Sequence, residues 1–272
     1  MLQFRKLVKN DWNQFAIVDE ESFSEDKMSK KEFLHLLEDR NIIGLFIESN
    51  FIGFLIMIIM EDYGHLNRVA VRKSEQGKGY GTSLMEYSLD FFKKSKATKS
   101  GLYVETDNDA AISLYKKFKY EIVDESWHYV INEDRVKEIE EKGKKAENTE
   151  MVILEPKDFE IIVETFPDIN RDELKTHLES LMAENYVNSI PLGLFENDKL
   201  LIYGRFSPDF SGCRPFCIVN LDYFNDFFIL LKEYAKKDYY RITFDNDENL
   251  AEFCKSRKYK LWHHLWKMER EY

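Results

Sequence analysis

The apolar positions along the chain follow two different periods, and their alternation gives an outline of the fold. Leu2 to Leu7 reads as a strand. Trp12 and Phe15, then Phe33 with Leu36 and Leu37, stand at spacings of three or four and, with Ile17, predict helices. The most apolar stretch, Ile42 to Met60, carries Glu48, Ser49 and Asn50 at its middle. A membrane-spanning helix needs roughly 20 predominantly apolar residues, and a central Glu costs a few kcal/mol there. Two strands folded about an ESN turn fit the pattern better.

Further along, HLNRVAVR reads as a strand, SLMEYSLDFFKK as a helix, GLYVET as a strand and DNDAAISLYKKF as a helix with an Asp or Asn cap. Two strand segments, Tyr120 to Val123 and Trp127 to Ile131, close this first unit. Glu133 to Glu150 is almost devoid of apolar residues and reads as a solvated helix or linker. The expected division is therefore residues 1–135, a charged linker over 136–150, and a second domain over 151–272.

The order of elements then repeats. Gly44-Leu45-Phe46 before the turn Glu48-Ser49-Asn50 is echoed by Gly193-Leu194-Phe195 before Glu196-Asn197-Asp198. Asp107-Asn108-Asp109 after one strand is echoed by Asp245-Asn246-Asp247 after another. The second copy is shorter between these landmarks, in the stretch where the first carries a cluster of glycines. All 5 prolines fall in the second half, so the copies have diverged.

Composition adds limits. With 272 residues, 44% hydrophobic and 33% charged, the chain can bury a substantial core, which argues against wholesale disorder. A net charge of -11 argues against a general nucleic-acid binder. The start of the chain, MLQFRKLVKNDW, lacks the apolar core of a secretion signal. The odd number of cysteines, Cys213, Cys217 and Cys254, fits a reducing compartment and offers no four-ligand metal pattern. A cytoplasmic protein with no membrane and no metal is the expectation. His263-His264 is a poor metal pair, because neighbouring strand residues face opposite ways.

Candidate chemistry begins at Gly77, Gly79 and Gly81, three of the 11 glycines, set between a strand and a helix. Glycines admit close backbone approach, and a helix N-terminus suits a pyrophosphate. The spacing is neither a P-loop nor a Rossmann fingerprint. The segment VAVRKSEQGKGYGTSLMEYSLDFF, with Gln76-Gly77-Lys78-Gly79-Tyr80-Gly81 in a Q/R-x-x-G-x-G/A pattern, resembles the acetyl-coenzyme A loop of the GCN5-related N-acetyltransferase (GNAT) superfamily. Downstream, ETDNDAAISLYKKFKYEIV resembles that family's N-x-x-A-x-x-L-Y-x-K-x-G-F segment at Asn108, Ala111, Leu114, Tyr115 and Lys117. The resemblance is strong over about Asn67 to Val123. Lys119 stands where the family has glycine, and Tyr120 where it has Phe.

The resemblance implies an α/β (α+β) fold: two tandem GNAT-like domains, each a mixed twisted sheet flanked by helices. It implies that Val69, Ala70 and Val71 offer backbone to the pantetheine arm of acetyl-CoA. Gln76, Gly77, Lys78, Gly79, Tyr80, Gly81 and Thr82 would cradle the pyrophosphate, with Asn108 and Tyr115 completing the cofactor site. An attacking amine must lose a proton. Glu105 matches the base position of members that acetylate protein N-termini, with Glu61, Asp62 and His65 as alternatives, and Tyr115 matches the general acid. Trp127 and Tyr129 are candidates to clamp an acceptor.

Aligning the DND words sets Phe253 opposite Tyr115 and Thr243 opposite Glu105, and no glycine lies between Cys217 and the helix NDFFILLKEYAKK. The second domain therefore reads as a degenerate copy, packed on the first as an intramolecular pseudo-dimer, which lets the chain stay monomeric. The leading reading is an acetyl-CoA-dependent N-acetyltransferase for a primary amine, which is a protein or peptide N-terminus, a lysine or a small amine. The alternative is a non-catalytic acetyl-CoA-binding sensor or scaffold.

Overall fold

A computed structural model describes residues 1–39, 41–143, 148–180 and 189–272. In chain order the elements are β1 (Leu2–Lys6), α1 (Trp12–Ser22), α2 (Lys30–Asp39), β2 (Asn41–Ile47), β3 (Asn50–Met60), β4 (Tyr63–Val71), α3 (Tyr80–Lys94), β5 (Lys99–Glu105), α4 (Asp109–Lys117) and β6 (Glu121–Ile131). They continue as α5 (Glu133–Lys142), β7 (Thr149–Ile153), α6 (Phe159–Thr165), α7 (Arg171–Ser180), β8 (Ile190–Glu196), β9 (Lys199–Ser207), β10 (Gly212–Ile218), α8 (Phe224–Leu231), β11 (Tyr240–Asp245), α9 (Glu248–Ser256) and β12 (Lys260–Glu271). The apolar run Ile42 to Met60 is the β2–β3 hairpin, with Glu48 left-handed at its turn. Among the described residues no helix is long and apolar enough to cross a membrane.

The chain divides into two compact units, Met1–Asp124 with Leu265–Tyr272, and Glu125–His264. This differs from a division at residues 136–150, and the reason is strand pairing. In the first unit β5 pairs antiparallel with the end of β12, from Leu265 opposite Glu105 to Glu271 opposite Lys99. In the second unit β11 pairs antiparallel with β6, from Tyr240 opposite Ile131 to Asp245 opposite Ser126. The strand that closes each repeat thus pairs with the other repeat's penultimate strand. The sequence suggests two short strands around the polar Asp124-Glu125-Ser126, where the structure has one continuous β6. Its polar centre is where the chain passes from one unit to the other.

The expected linker also differs. Over Glu133–Lys142 it is a helix whose Val136 and Ile139 are buried in the second core, and Asn132 caps it by accepting from the Arg135 N–H. Residues 144–147 lie outside the described residues. Two apolar residues at i and i+3 suffice to dock a helix that is otherwise charged.

In the first unit, α1 and α2 cover one face of the sheet through Phe15, Val18 and Phe33 on Phe54, Ile56 and Ala70. The other face carries α3 and α4, through Leu84, Met85, Phe92, Ile112 and Tyr115 on Leu55, Leu66, Leu102 and Val104. Met268 of β12 is fully buried in this same core. In the second unit α6 and α7 cover one face, and α5, α8 and α9 the other.

Because Met268 fills the first unit's core, Met268→Ala should destabilise that unit by about 2–5 kcal/mol, the range for emptying a buried methionine site. Chemical denaturation followed by a probe in residues 1–124 reads this directly. A chain ending at residue 150 should lack a stable first unit, since the β5 edge and the Met268 site would both be open to water.

Candidate active site

The strands β4 and β5 run parallel but pair only at Tyr63–Lys99, Gly64–Ser100 and His65–Gly101. Beyond that point β4 stays with β3 as far as Val71 opposite Gly53, with an irregularity at Asn67, where Ile56 faces Arg68 and Met57 faces Leu66. One extra residue in a strand bends it and increases its twist, and here β4 leaves β5. The Arg72 N–H donates to the Ile52 carbonyl at 2.8 Å. By antiparallel alternation Ala70 also turns its peptide groups to β3, while Val69 and Val71 turn theirs to the opened edge. Ala70 is therefore committed to the sheet, and its side chain is buried beneath α1. An extended chain bearing amides could add to this edge through Val69 and Val71. The Gln76 side-chain N–H already donates to the Val71 carbonyl at 3.1 Å.

The opened edge runs directly into the glycine loop. Gly77 and Gly79 have φ of 78° and 90°, and a Cβ on either would meet nothing within 4 Å. Gly79 is the N-cap of α3 and offers no side chain to the helix, and the first turn of α3 holds no acidic residue. The N–H groups of Tyr80, Gly81 and Thr82 therefore point out of the helix end, which suits an oxyanion such as a pyrophosphate. The remaining loop residues do other work. A Cβ on Gly81 would sit 3.2 Å from Leu114, so this glycine serves the packing of α3 on α4. The Lys78 ammonium is paired with Glu75 at 3.0 Å. Asn108 caps α4, its Oδ1 accepting from the Ala111 N–H at 3.1 Å, so this side chain has a structural task at the helix start.

Tyr115 lies on α4, 8% exposed, within the core between that helix and the sheet. Its ring meets that of Tyr120 edge-on at 6.3 Å. Burial pushes its hydroxyl up to about 12, so the phenol keeps its proton throughout the physiological range. Glu105 ends β5 on the opposite face, since Leu102 and Val104 face the core and the alternate positions Tyr103 and Glu105 face away from it. Carboxylate and phenol thus stand on the two faces of the sheet.

The other candidate bases separate from this pair. Glu61 is left-handed and exposed at the β3–β4 turn. Asp62 accepts from the Thr98 hydroxyl at 2.6 Å and the Thr98 N–H at 2.7 Å, tying the turn to the start of β5. Both lie at the closed end of the β4–β5 pair, roughly 20 Å along the strand from Glu105 at about 3.3 Å per residue. His65 stands mid-strand, its ring 6.1 Å from that of Tyr103. Trp127 and Tyr129 belong to the second unit, where both are buried against Phe244 and the Tyr129 hydroxyl donates to the Ala251 carbonyl at 3.2 Å. Their rings are core of that unit, not an open clamp.

Sequence reasoning misses a polar row on the Glu105 face. The Tyr63 hydroxyl passes over Gly101, where any Cβ would collide with it, and donates to Glu269 at 3.1 Å. Glu269 also pairs with Lys99 at 3.1 Å and Lys267 at 3.3 Å, and Lys267 donates to Asp124 at 3.1 Å. Nothing local in the sequence signals this row, because Lys267 and Glu269 arrive on β12.

The second unit is built on the same frame with different chemistry. Lys119 and Lys258, both left-handed after their helices, are 258 − 119 = 139 residues apart, and the caps Asn108 and Asp247 share that offset. Cys254, not Phe253, therefore occupies the Tyr115 position. Strand pairing places Asp245 opposite Ser126 as Glu105 is opposite Leu265, so Asp245, not Thr243, matches Glu105. The word alignment errs because the turn after β11 is one residue shorter. Burial holds the Cys254 thiol far above its usual range, which leaves it inert. The first turn of α8 carries Asp226, so this helix start presents negative charge where α3 presents none.

Residues 4–120 match the acetyltransferase (GNAT) family. In sequence the chain is 33% identical over 73 residues to the uncharacterized N-acetyltransferase YobR of Bacillus subtilis, which is 27% of this chain and 29% of that protein. It is 32% identical over 69 residues to N-alpha-acetyltransferase 30 of Schizosaccharomyces pombe, 25% of this chain and 46% of that protein. The matched stretches thus span less than half of either relative. The fold resembles a GCN5-related N-acetyltransferase from Sphaerobacter thermophilus, with a TM-score of 0.69 and 12% identity over 99% of this chain and 95% of that one. It also resembles a tandem GNAT protein from the clavulanic acid biosynthesis pathway, with a TM-score of 0.64 and 9% identity over 100% and 98%. The family match thus falls within the first unit, while the likeness of fold to a tandem GNAT protein runs through the whole chain.

Proposed function

We propose that the first unit is an acetyl-CoA-dependent N-acetyltransferase that acts on a primary amine by direct attack in a ternary complex. The observation that carries this reading is an opened strand edge that runs directly into an uncapped helix start with left-handed glycines, on a sheet that bears a phenol on one face and a carboxylate on the other. Acetyl-CoA supplies an activated acyl group as a thioester. The peptide groups of Val69 and the Val71 N–H hold its extended arm, and the N–H groups that follow Gly79 hold its pyrophosphate.

An amine near neutrality is mostly protonated, since a free α-amino group has a pKa of roughly 8 and a lysine side chain one of about 10.4, and it must lose a proton before it can attack. The Glu105 carboxylate takes that proton, directly or through one water. The Tyr115 hydroxyl lies on the other side of the opening and gives its proton to the departing sulfur. Base and acid are thereby kept apart, so neither neutralises the other between steps. A peptide N-terminus is the favoured acceptor, on Glu105 and on the likeness to a protein named as an N-alpha-acetyltransferase. The second unit, with Cys254 in the acid's place and Asp226 at α8, does not turn over.

Calorimetric titration of the full chain with acetyl-CoA should give one site, and none would remove the reading. Gly79→Glu should abolish that binding, because its carboxylate would occupy the oxyanion position. The positive φ adds about 1–2 kcal/mol of strain. Tyr115→Phe should lower kcat by about 10²-fold or more, the typical worth of a positioned acid, and leave acetyl-CoA affinity nearly unaltered. The sign for pH follows from the raised phenol: an acid whose pKa is pushed up to about 12 is lost only as pH rises through that value. The pH profile of kcat should therefore rise as the amine and base deprotonate and show no descending limb below about pH 11.

A further inference from the structure

The row formed by Asp124, Lys267 and Glu269 has no part in the acyl chemistry above, yet it lies on the face from which Glu105 acts. Leu265 is opposite Glu105 and Lys267 is opposite Tyr103, so Lys267 sits one step back along the same face. Its ammonium is partly buried, with the side chain 24% exposed. Burial alone would lower its pKa, but Glu269, Tyr103 and Asp124 outweigh burial and hold it above the usual lysine range, so it remains a cation. An ammonium has three donors, and two of these go to the Asp124 and Glu269 carboxylates at 3.1 Å and 3.3 Å.

Comparison of the two repeats shows that these charges are not demanded by the fold. At the 139-residue offset, Lys267 corresponds to His128, Asp124 to His263 and Glu269 to Val130. His128 pairs with Thr243 just as Lys267 pairs with Tyr103. In the second unit the two histidine rings meet edge-on at 5.8 Å, and burial, with Arg214 and His263 beside it, pushes His128 down to about 3, so it is neutral. One frame thus tolerates a neutral aromatic pair where the first unit maintains a clamped cation at the cost of desolvating three charges.

We infer that Lys267, delivered by the C-terminal strand and aimed by Asp124 and Glu269, is a specificity residue that donates its third hydrogen bond to a carbonyl oxygen of the acceptor near its reacting amine. This deepens the proposed acetyltransfer and rests on it. The acceptor class that fits is an amine followed by an amide carbonyl, as at a peptide N-terminus, in preference to a polyamine or other alkylamine. Asp124 and Glu269 act as positioning residues.

The test compares, on the full chain, pooled tripeptide amides, the same peptides with the first carbonyl reduced to a methylene, and butylamine. In the wild type, reduction of the carbonyl should raise KM by about 10–100-fold, the worth of a hydrogen bond to a charged group. Lys267→Met should lower the ratio of kcat/KM for peptides to that for butylamine by a similar factor, through KM. Lys267→Arg should restore most of that ratio. In Lys267→Met the carbonyl should cease to matter, closing a cycle between enzyme and substrate. An equal loss on peptides and butylamine, or a wild type indifferent to the carbonyl, overturns the assignment, and the second comparison does not depend on any variant folding. If the chain binds acetyl-CoA but acetylates no amine, the acetyltransfer reading fails separately. Equilibrium binding of the two peptide sets to the coenzyme-bound chain then reads the Lys267 contact: a tenfold or larger preference for the carbonyl supports it, and no preference or no binding overturns it.

Discussion

The first unit depends on how β5 is held. On one edge it pairs with β4 for only three residues, because the irregularity at Asn67 turns β4 away. A strand bonded so briefly on one side would be a frayed edge, and edges are liabilities. Seven residues of β12 cover its other side in register, from Leu265 to Glu271. The ladder with β12 anchors β5 from its other edge, so the strand holds while it parts from β4. Glu105 at the tip of β5, the outward peptide groups of Val69 and Val71, and the loop that follows all inherit their positions from that balance.

Burial and charge are distributed to match. On the α3–α4 face the packing is apolar, and burial keeps the Tyr115 phenol protonated. On the opposite face the sheet carries carboxylates, two lysines and tyrosines, whose mutual hydrogen bonds and ion pairs offset their desolvation. The second unit keeps the frame, the left-handed residue after its last helix and the cap before it, but replaces the phenol with a thiol and the ion pair with histidines. The elements the two units share are those that make a sheet fold. The elements they do not share are those assigned a part in the proposed acyl transfer.

Much of this is legible without coordinates. The hairpin around Glu48, the glycine loop between strand and helix, and the α4 cap at Asn108 are local features, each encoded within a few residues by periodicity, backbone permissiveness or a side chain that satisfies an adjacent N–H. Gly77, Gly79, Glu105 and Tyr115 stand out on such local patterns, and all four belong to the first unit. Sequence is a weaker guide wherever a residue's function depends on a distant partner. Ala70 and Gly81 look like ligand contacts and are committed instead to β3 and to Leu114. Trp127 and Tyr129 look like neighbours of the cleft and are core residues of the other unit. Phe253 falls opposite Tyr115 in a word alignment because a turn one residue shorter leaves no trace in the local words.

By itself, then, the amino-acid sequence determined the two-fold repetition of elements, the glycine turn at the start of α3, and a phenol and a carboxylate at either side of one strand-to-helix passage, because these rest on interactions between residues close along the chain. Only the tertiary structure decided which strand closes which unit, and with it that Lys267 and Glu269 lie opposite Tyr103 and Gly101 on the face that carries Glu105. Two edge strands of equal apolar character are interchangeable to any local rule. The choice between them is made by the register of a long ladder and by the burial of Met268, both of which exist only once the chain has folded.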